Sequence, residues 1–170
     1  MSTLIVSLLA AVAYAATCIY LLNSIRQRTP FNKALVATLT LLGLAAHGVS
    51  LSTQLITEQG LSLSLFNSAS LIAFSIIALV LLCLTRMSVH ILLLPLLSLG
   101  ALSVLCAQFI AQGHLQPINE APGILTHILL SLLAYSMITI AVFQALVLLL
   151  QEQQLRKRPV STLIKSFPPL

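Results

Sequence analysis

ILTHILLSLLAYSMITIAVFQALVLLL, residues 124–150, decides the class of this chain. A bilayer core of about 30 Å is crossed by roughly 20 helical residues rising 1.5 Å each. This run is long enough, and no Asp, Glu, Lys or Arg interrupts it. Four more runs read the same way, at 3–25, 34–53, 65–85 and 89–112. Turn chemistry separates them: Thr29-Pro30, Gln59-Gly60, and the Pro117, Pro122 and Gly123 cluster. The break at Arg86-Met87-Ser88 is short, which predicts a tight antiparallel hairpin of the third and fourth helices. The expected fold is an all-α, polytopic transmembrane bundle of about five membrane-spanning helices.

Composition agrees. Of 170 residues, 59% are hydrophobic and 6% charged, whereas a soluble domain carries about a quarter charged residues. Eight Lys and Arg against three Asp and Glu give a basic chain, but the basic residues do not form the contiguous stripe that nucleic acid requires. They mark helix ends: Arg26, Arg28 and Lys33, then Arg86, then Arg156, Lys157, Arg158 and Lys165. Five spans place all of these on one side. The N-terminus, the 54–64 loop with Glu58 and the 113–123 loop with Glu120 fall on the other. The positive-inside rule makes the basic side cytoplasmic and the N-terminus external.

The expected organisation is a helical domain at 1–153 and a basic cytoplasmic tail at 154–170. The tail reads as the start of a region missing from this chain, ending at Phe167-Pro168-Pro169-Leu170. A cleaved signal peptide at Ala13-Tyr14-Ala15 is disfavoured, because no positive region precedes it and the apolar run continues to Leu22. Cys18, Cys83 and Cys106 lie in apolar runs without CxxC spacing and read as small buried hydrophobes, Cys106 being the one to check for reactivity.

With no charge inside the spans, four histidines are the ionisable candidates, and such residues in a membrane are functional-site hypotheses. His47 lies about 21 Å along its helix from Lys33, in the outer half of the bilayer. His127 lies within the first turn of the fifth span, His114 in the outer loop and His90 at the inner start of the fourth span. Val36, Thr40, Gly43, His47 and Ser50 form one stripe at helical spacing; His127, Ser131, Ala134, Ile138, Ala141 and Ala145 form another. Small residues line helix contacts in membranes, so both stripes are expected to face the bundle interior. Two imidazoles at one depth suit axial haem ligation, another metal or proton transfer, or hydrogen bonds to serine and backbone groups. The pattern admits all three.

Weaker features are Pro95, expected to kink the fourth helix; Gln108 and Gln144, read as interhelical hydrogen-bonders; Asn67, read as a helix cap; and Tyr135, two turns below His127. No Ser–His–Asp set, carboxylate pair or phosphate-cradling loop is present in the sequence, so no enzymatic activity is expected. Transport is disfavoured, because the spans lack charged residues and tandem broken helices.

Glu120-Ala121-Pro122-Gly123, His127-Ile128-Leu129-Leu130-Ser131-Leu132 and Tyr135 resemble a signature of the cytochrome c assembly membrane proteins of the CcsA/HemX type. Ala46-His47, the 61–67 stretch LSLSLFN and the Gln151–Arg158 exit resemble the same family. The resemblance runs along the whole chain in order. It implies a multi-pass protein of a bacterial inner (plasma) membrane that handles haem in c-type cytochrome maturation. His127 and His47 would be its axial ligands, the only metal contacts expected, and Tyr135 and Ser131 supporting groups. The implied partners are the lipid bilayer, haem and other maturation or membrane proteins. Synthase members carry a tryptophan-rich outer loop, and this chain has no tryptophan. The alternative is a scaffold or accessory subunit that packs against partner proteins without haem.

Overall fold

The computed structural model describes residues 2–57, 60–84, 90–110, 115–116 and 122–157. Glu58, Gln59, Arg86-Met87-Ser88, His114, Pro117, Glu120-Ala121 and the tail from Arg158 lie outside the described residues, as does the His90 side chain. Among the described residues, five helices are long and apolar enough to cross a membrane: α1 (Ser2–Gln27), α2 (Lys33–Leu55), α3 (Leu65–Leu84), α4 (His90–Ile110) and α5 (Pro122–Lys157). α4 runs on through Pro95. α5 extends past the apolar run to Lys157, because Gln, Glu, Leu and Arg residues favour continued helix.

Local chemistry sets the helix ends. α1 closes on a Schellman motif, in which Thr29 N donates to Ser24 O at 3.1 Å and Arg28 N to Ile25 O at 3.3 Å. Arg28 sits there at φ 56°, a position glycine usually takes. Asn32 caps α2, its Oδ1 accepting from Ala34 N at 3.0 Å and Leu35 N at 3.3 Å. Ser64, not Asn67, caps α3: Ser64 Oγ accepts from Asn67 N at 3.2 Å. Asn67 lies inside the first turn, and its side chain donates to Ser62 O at 2.9 Å instead.

Segments expected as plain loops carry short strands. β1 (Ile56–Thr57), β2 (Gly60–Ser62) and β3 (Leu115–Gln116) form an antiparallel sheet in that order. Leu61 pairs with Ile56 and Gln116, and Ser62 with Leu115. The Leu-Ser alternation at 61–64 is the period-two signal for this. Because β2 and β3 pair, the α2–α3 and α4–α5 connections meet at the same end of the bundle.

α1, α2, α3 and α4 close a ring, each packed on the next and α4 returning to α1, while α5 docks outside it, mainly on α3. α1 buries Ser7, Ala10, Ala11, Tyr14, Thr17, Cys18, Leu21 and Ser24 in one stripe. α2 buries Val36, Thr40, Gly43, His47, Ser50 and Leu51, the stripe expected from its spacing with one addition. Cys18 is buried beside Leu94 O and Ser98, Cys106 is half-buried, and Cys83 is exposed on the outside of α3, so burial holds only in part for the three thiols.

The α5 stripe is a correction. His127, Ala134, Ile138, Ala141 and Ala145 are exposed and Ser131 is half-buried. The face that docks carries buried Ser136, with Leu132, Ile140, Phe143 and Val147 half-buried. The contact with α3 is made by bulky apolar residues around Ser136, whose larger dispersion contacts set the rotation of α5.

Candidate functional site: the His47 cluster and the His127 face

α1 brings Tyr14, α2 brings His47, and α3 brings Ser70 and Phe74 to one point inside the ring. Tyr14 and His47 are fully buried. The Tyr14 hydroxyl is 3.2 Å from His47 Nδ1, and Ser70 Oγ is 2.9 Å from His47 Nε2. Both groups can donate or accept, so either neutral tautomer satisfies both contacts. The edge of the imidazole meets Tyr14 at a centroid distance of 5.9 Å and Phe74 at 5.6 Å, both T-shaped. Neither ring nitrogen is open to a further ligand in this arrangement.

Two glycines make room for the Tyr14 ring. A Cβ on Gly43 would lie 2.7 Å from Tyr14 Cε1, and one on Gly100 would lie 3.3 Å from Tyr14 Cε2 while meeting Ile77 Cδ1. The ring is thus held between backbones of α2 and α4, with its hydroxyl held by His47.

One turn towards the sheet, a second polar layer joins α1, α2 and α4. Ser7 Oγ is 2.6 Å from Ser50 Oγ and 2.9 Å from both Thr3 O and Gln108 Oε1. Gln54 Nε2 donates to Ser50 Oγ at 2.9 Å and to Gln108 Oε1 at 3.2 Å. Gln108 is therefore the interhelical hydrogen-bonder expected, whereas Gln144 is exposed. Sequence reasoning missed Ser7, Ser70 and Tyr14. Ser7 and Ser70 lie on their helices' stripes of small or polar residues, which was the available signal for them; no single stretch marks Tyr14.

His127 stands elsewhere, exposed in the first turns of α5, with Ser131 half-buried one turn on and Tyr135 60% exposed two turns on. The structure joins His47 to Tyr14 and Ser70 by hydrogen bonds and to Tyr14 and Phe74 by ring contacts, and His127, Ser131 and Tyr135 are not among these partners. Among the described residues no group of three or more His, Cys, Asp or Glu could hold a metal ion.

A sequence profile described as cytochrome C assembly protein matches residues 35–170, from the first turn of α2 onward. Over 166 residues the chain is 25% identical to proteins named inner membrane protein YpjD in Escherichia coli, including strain K12 and O157:H7. That match covers 96% of this chain and 63% of those relatives, so the chain spans less than two thirds of their length. No solved structure matches it. By a profile match covering most of its residues, this chain belongs to the cytochrome c assembly protein family.

Proposed function

We propose that this chain is a multi-pass protein of a bacterial inner membrane that holds haem near its outer face for cytochrome c assembly, without a catalytic step of its own. His127 is the iron ligand, and Ser131 and Tyr135 line the same face. The observation that carries this reading is membership of the cytochrome c assembly protein family; His127, expected inside the bundle, stands exposed on the side of α5 turned away from the ring, where its imidazole is accessible. Ala134 keeps that side shallow between His127 and the exposed Ile138, a stretch of about 16 Å, so a flat apolar group can lie against it. Bound there, haem would supply a redox-active iron, which the His127 imidazole would hold. The exposed Tyr135 hydroxyl, about 12 Å further along α5, would donate a hydrogen bond to a carboxylate of the bound group.

His47 does not fit an axial role as packed. A ligand on its Nε2 would displace Ser70, and one on Nδ1 would displace Tyr14. Its part in the proposed function is to fix α1, α2 and α3 behind the site.

The test is reconstitution with hemin in mild detergent. A Soret band that His127→Ala abolishes or shifts, and that His47→Ala leaves in place on a less stable protein, is the expected result. A band indifferent to His127→Ala, or no band, overturns it. The closed Tyr14–His47–Ser70 cluster favours a second reading, a scaffold that packs against partner proteins, under which both variants leave hemin spectra unchanged.

A further inference from the structure

A groove of about 700 Å³ opens between α2 and α3, at the end of the bundle opposite the sheet. Lys33 stands at its mouth, Ala37, Leu41 and Leu44 run along one wall, and Ala78 and Leu82 form the other. Ala34, Ala37 and Ala78 contribute small side chains to its lining. From Lys33 to Leu44 the α2 backbone rises about 16 Å. One leaflet of a 30 Å bilayer core is about 15 Å deep. The groove thus begins at the membrane surface, ends near the midplane, and is lined by apolar side chains apart from Lys33 at its mouth and Thr38, whose hydroxyl donates to Ala34 O and Leu35 O.

We infer that this groove is a site for an anionic phospholipid, with one acyl chain lying between α2 and α3 and the headgroup phosphate on the Lys33 ammonium. Dimensions, polarity and charge agree on this occupant. The volume lies within the range of about 300–1,000 Å³ usual for small-molecule sites. A lysine at the surface end gives a phosphate its counter-charge, and basic pockets between membrane helices bind such headgroups. The first-turn amides of Ala34 and Leu35 already bond to Asn32 Oδ1, so the ammonium, not the helix end, provides the selectivity. A zwitterionic lipid fills the same groove without that preference.

The chain has no tryptophan, so Leu41→Trp, at a groove residue 56% exposed, installs a single tryptophan, excited selectively over the tyrosines, about 12 Å from Lys33 along the helix. Leu42→Trp, 64% exposed and outside the groove lining, is the control. In vesicles of mixed composition, phosphatidylglycerol brominated in mid-chain should quench the Leu41→Trp protein about fivefold more effectively than brominated phosphatidylcholine, the effect of one lysine near anionic lipid. The Leu42→Trp protein should show no preference. Adding Lys33→Gln should remove the preference, and Arg26→Gln, a basic residue at the same membrane level on α1, should keep it. Equal quenching at both positions, equal loss with Arg26→Gln, or exclusion of both lipids by a second copy of the chain would overturn the proposal.

Discussion

Tyr14 and His47 are tied hydroxyl to Nδ1 at 3.2 Å across α1 and α2, with ring planes at 70°. Ser70 ties the opposite nitrogen to α3. Three helices thus share one imidazole in a region without formal charge. Apolar side chains give membrane helices little reason to prefer each other over lipid, so such bonds and close packing specify the arrangement.

Tyr14→Phe keeps the ring between its glycines and removes only the hydroxyl. Hydrogen bonds between membrane helices average about 0.6 kcal/mol and reach about 1.7, and the nitrogen left behind is fully buried. We expect a loss of about 1 kcal/mol, and a similar loss for Ser70→Ala. Because both act through one imidazole, the double variant should deviate from additivity in a double-mutant cycle. Strict additivity in unfolding measurements in bicelles would show that the two bonds are independent.

Gly43→Ala should cost more than Gly100→Ala. The added methyl at Gly43 meets a rigid ring fixed by His47, whereas at Gly100 the nearest atom is the terminal methyl of Ile77, which can rotate away. Overpacking of the first kind costs about 1–3 kcal/mol. Ala134→Leu, on the exposed side of α5, should leave stability within about 0.5 kcal/mol of the parent. If Ala134→Leu is the more damaging in thermal unfolding, the rotation of α5 described above is wrong.

The spans and the α2 stripe were legible because both depend on local pattern: absence of charge over a membrane thickness, and small or polar residues at helical spacing. His47 was therefore placed correctly in the interior. The same rule turned α5 the wrong way. A run of small residues records where backbones can approach, and on α5 the approach to α3 is made by Leu132, Ile140 and Phe143 around Ser136. Tyr14 was hidden for a different reason. Its role needs two glycines from α2 and α4 and a histidine from α2, a coincidence of three helices that no single stretch carries. The caps follow the same logic: Ser64 and Asn67 are both good cap residues, and what decides between them is that Ser64 Oγ accepts from Asn67 N while the Asn67 amide is taken by Ser62 O.

Thr40 is fully buried, and its hydroxyl has no hydrogen-bond partner among the described residues. A buried hydroxyl without a partner carries a desolvation penalty of about 1–3 kcal/mol. Valine has nearly the same shape, so Thr40→Val should stabilise the protein by about 1 kcal/mol, against the usual sign for a core substitution. A destabilised Thr40→Val protein in the same unfolding assay would mean that the hydroxyl has a partner, such as an internal water, worth more than the penalty.

The last prediction concerns direction across the membrane. Pairing of β2 with β3 brings the two connections they belong to together, so Leu115 and Gly60 share a side. α5 is a single helix from Pro122 to Lys157, and its far end must emerge on the other side. Lys33 and Arg26 lie with Lys157 on that second side, because α1 and α2 meet there. The Lys and Arg excess faces the cytoplasm in membrane proteins, so a reporter active only outside the cytoplasm should work when fused at Leu115 and fail at Lys157. The reverse result would invert the bundle. It would put His127 at the inner face and remove the setting proposed for haem, but leave the helix ring and the Tyr14–His47–Ser70 cluster untouched.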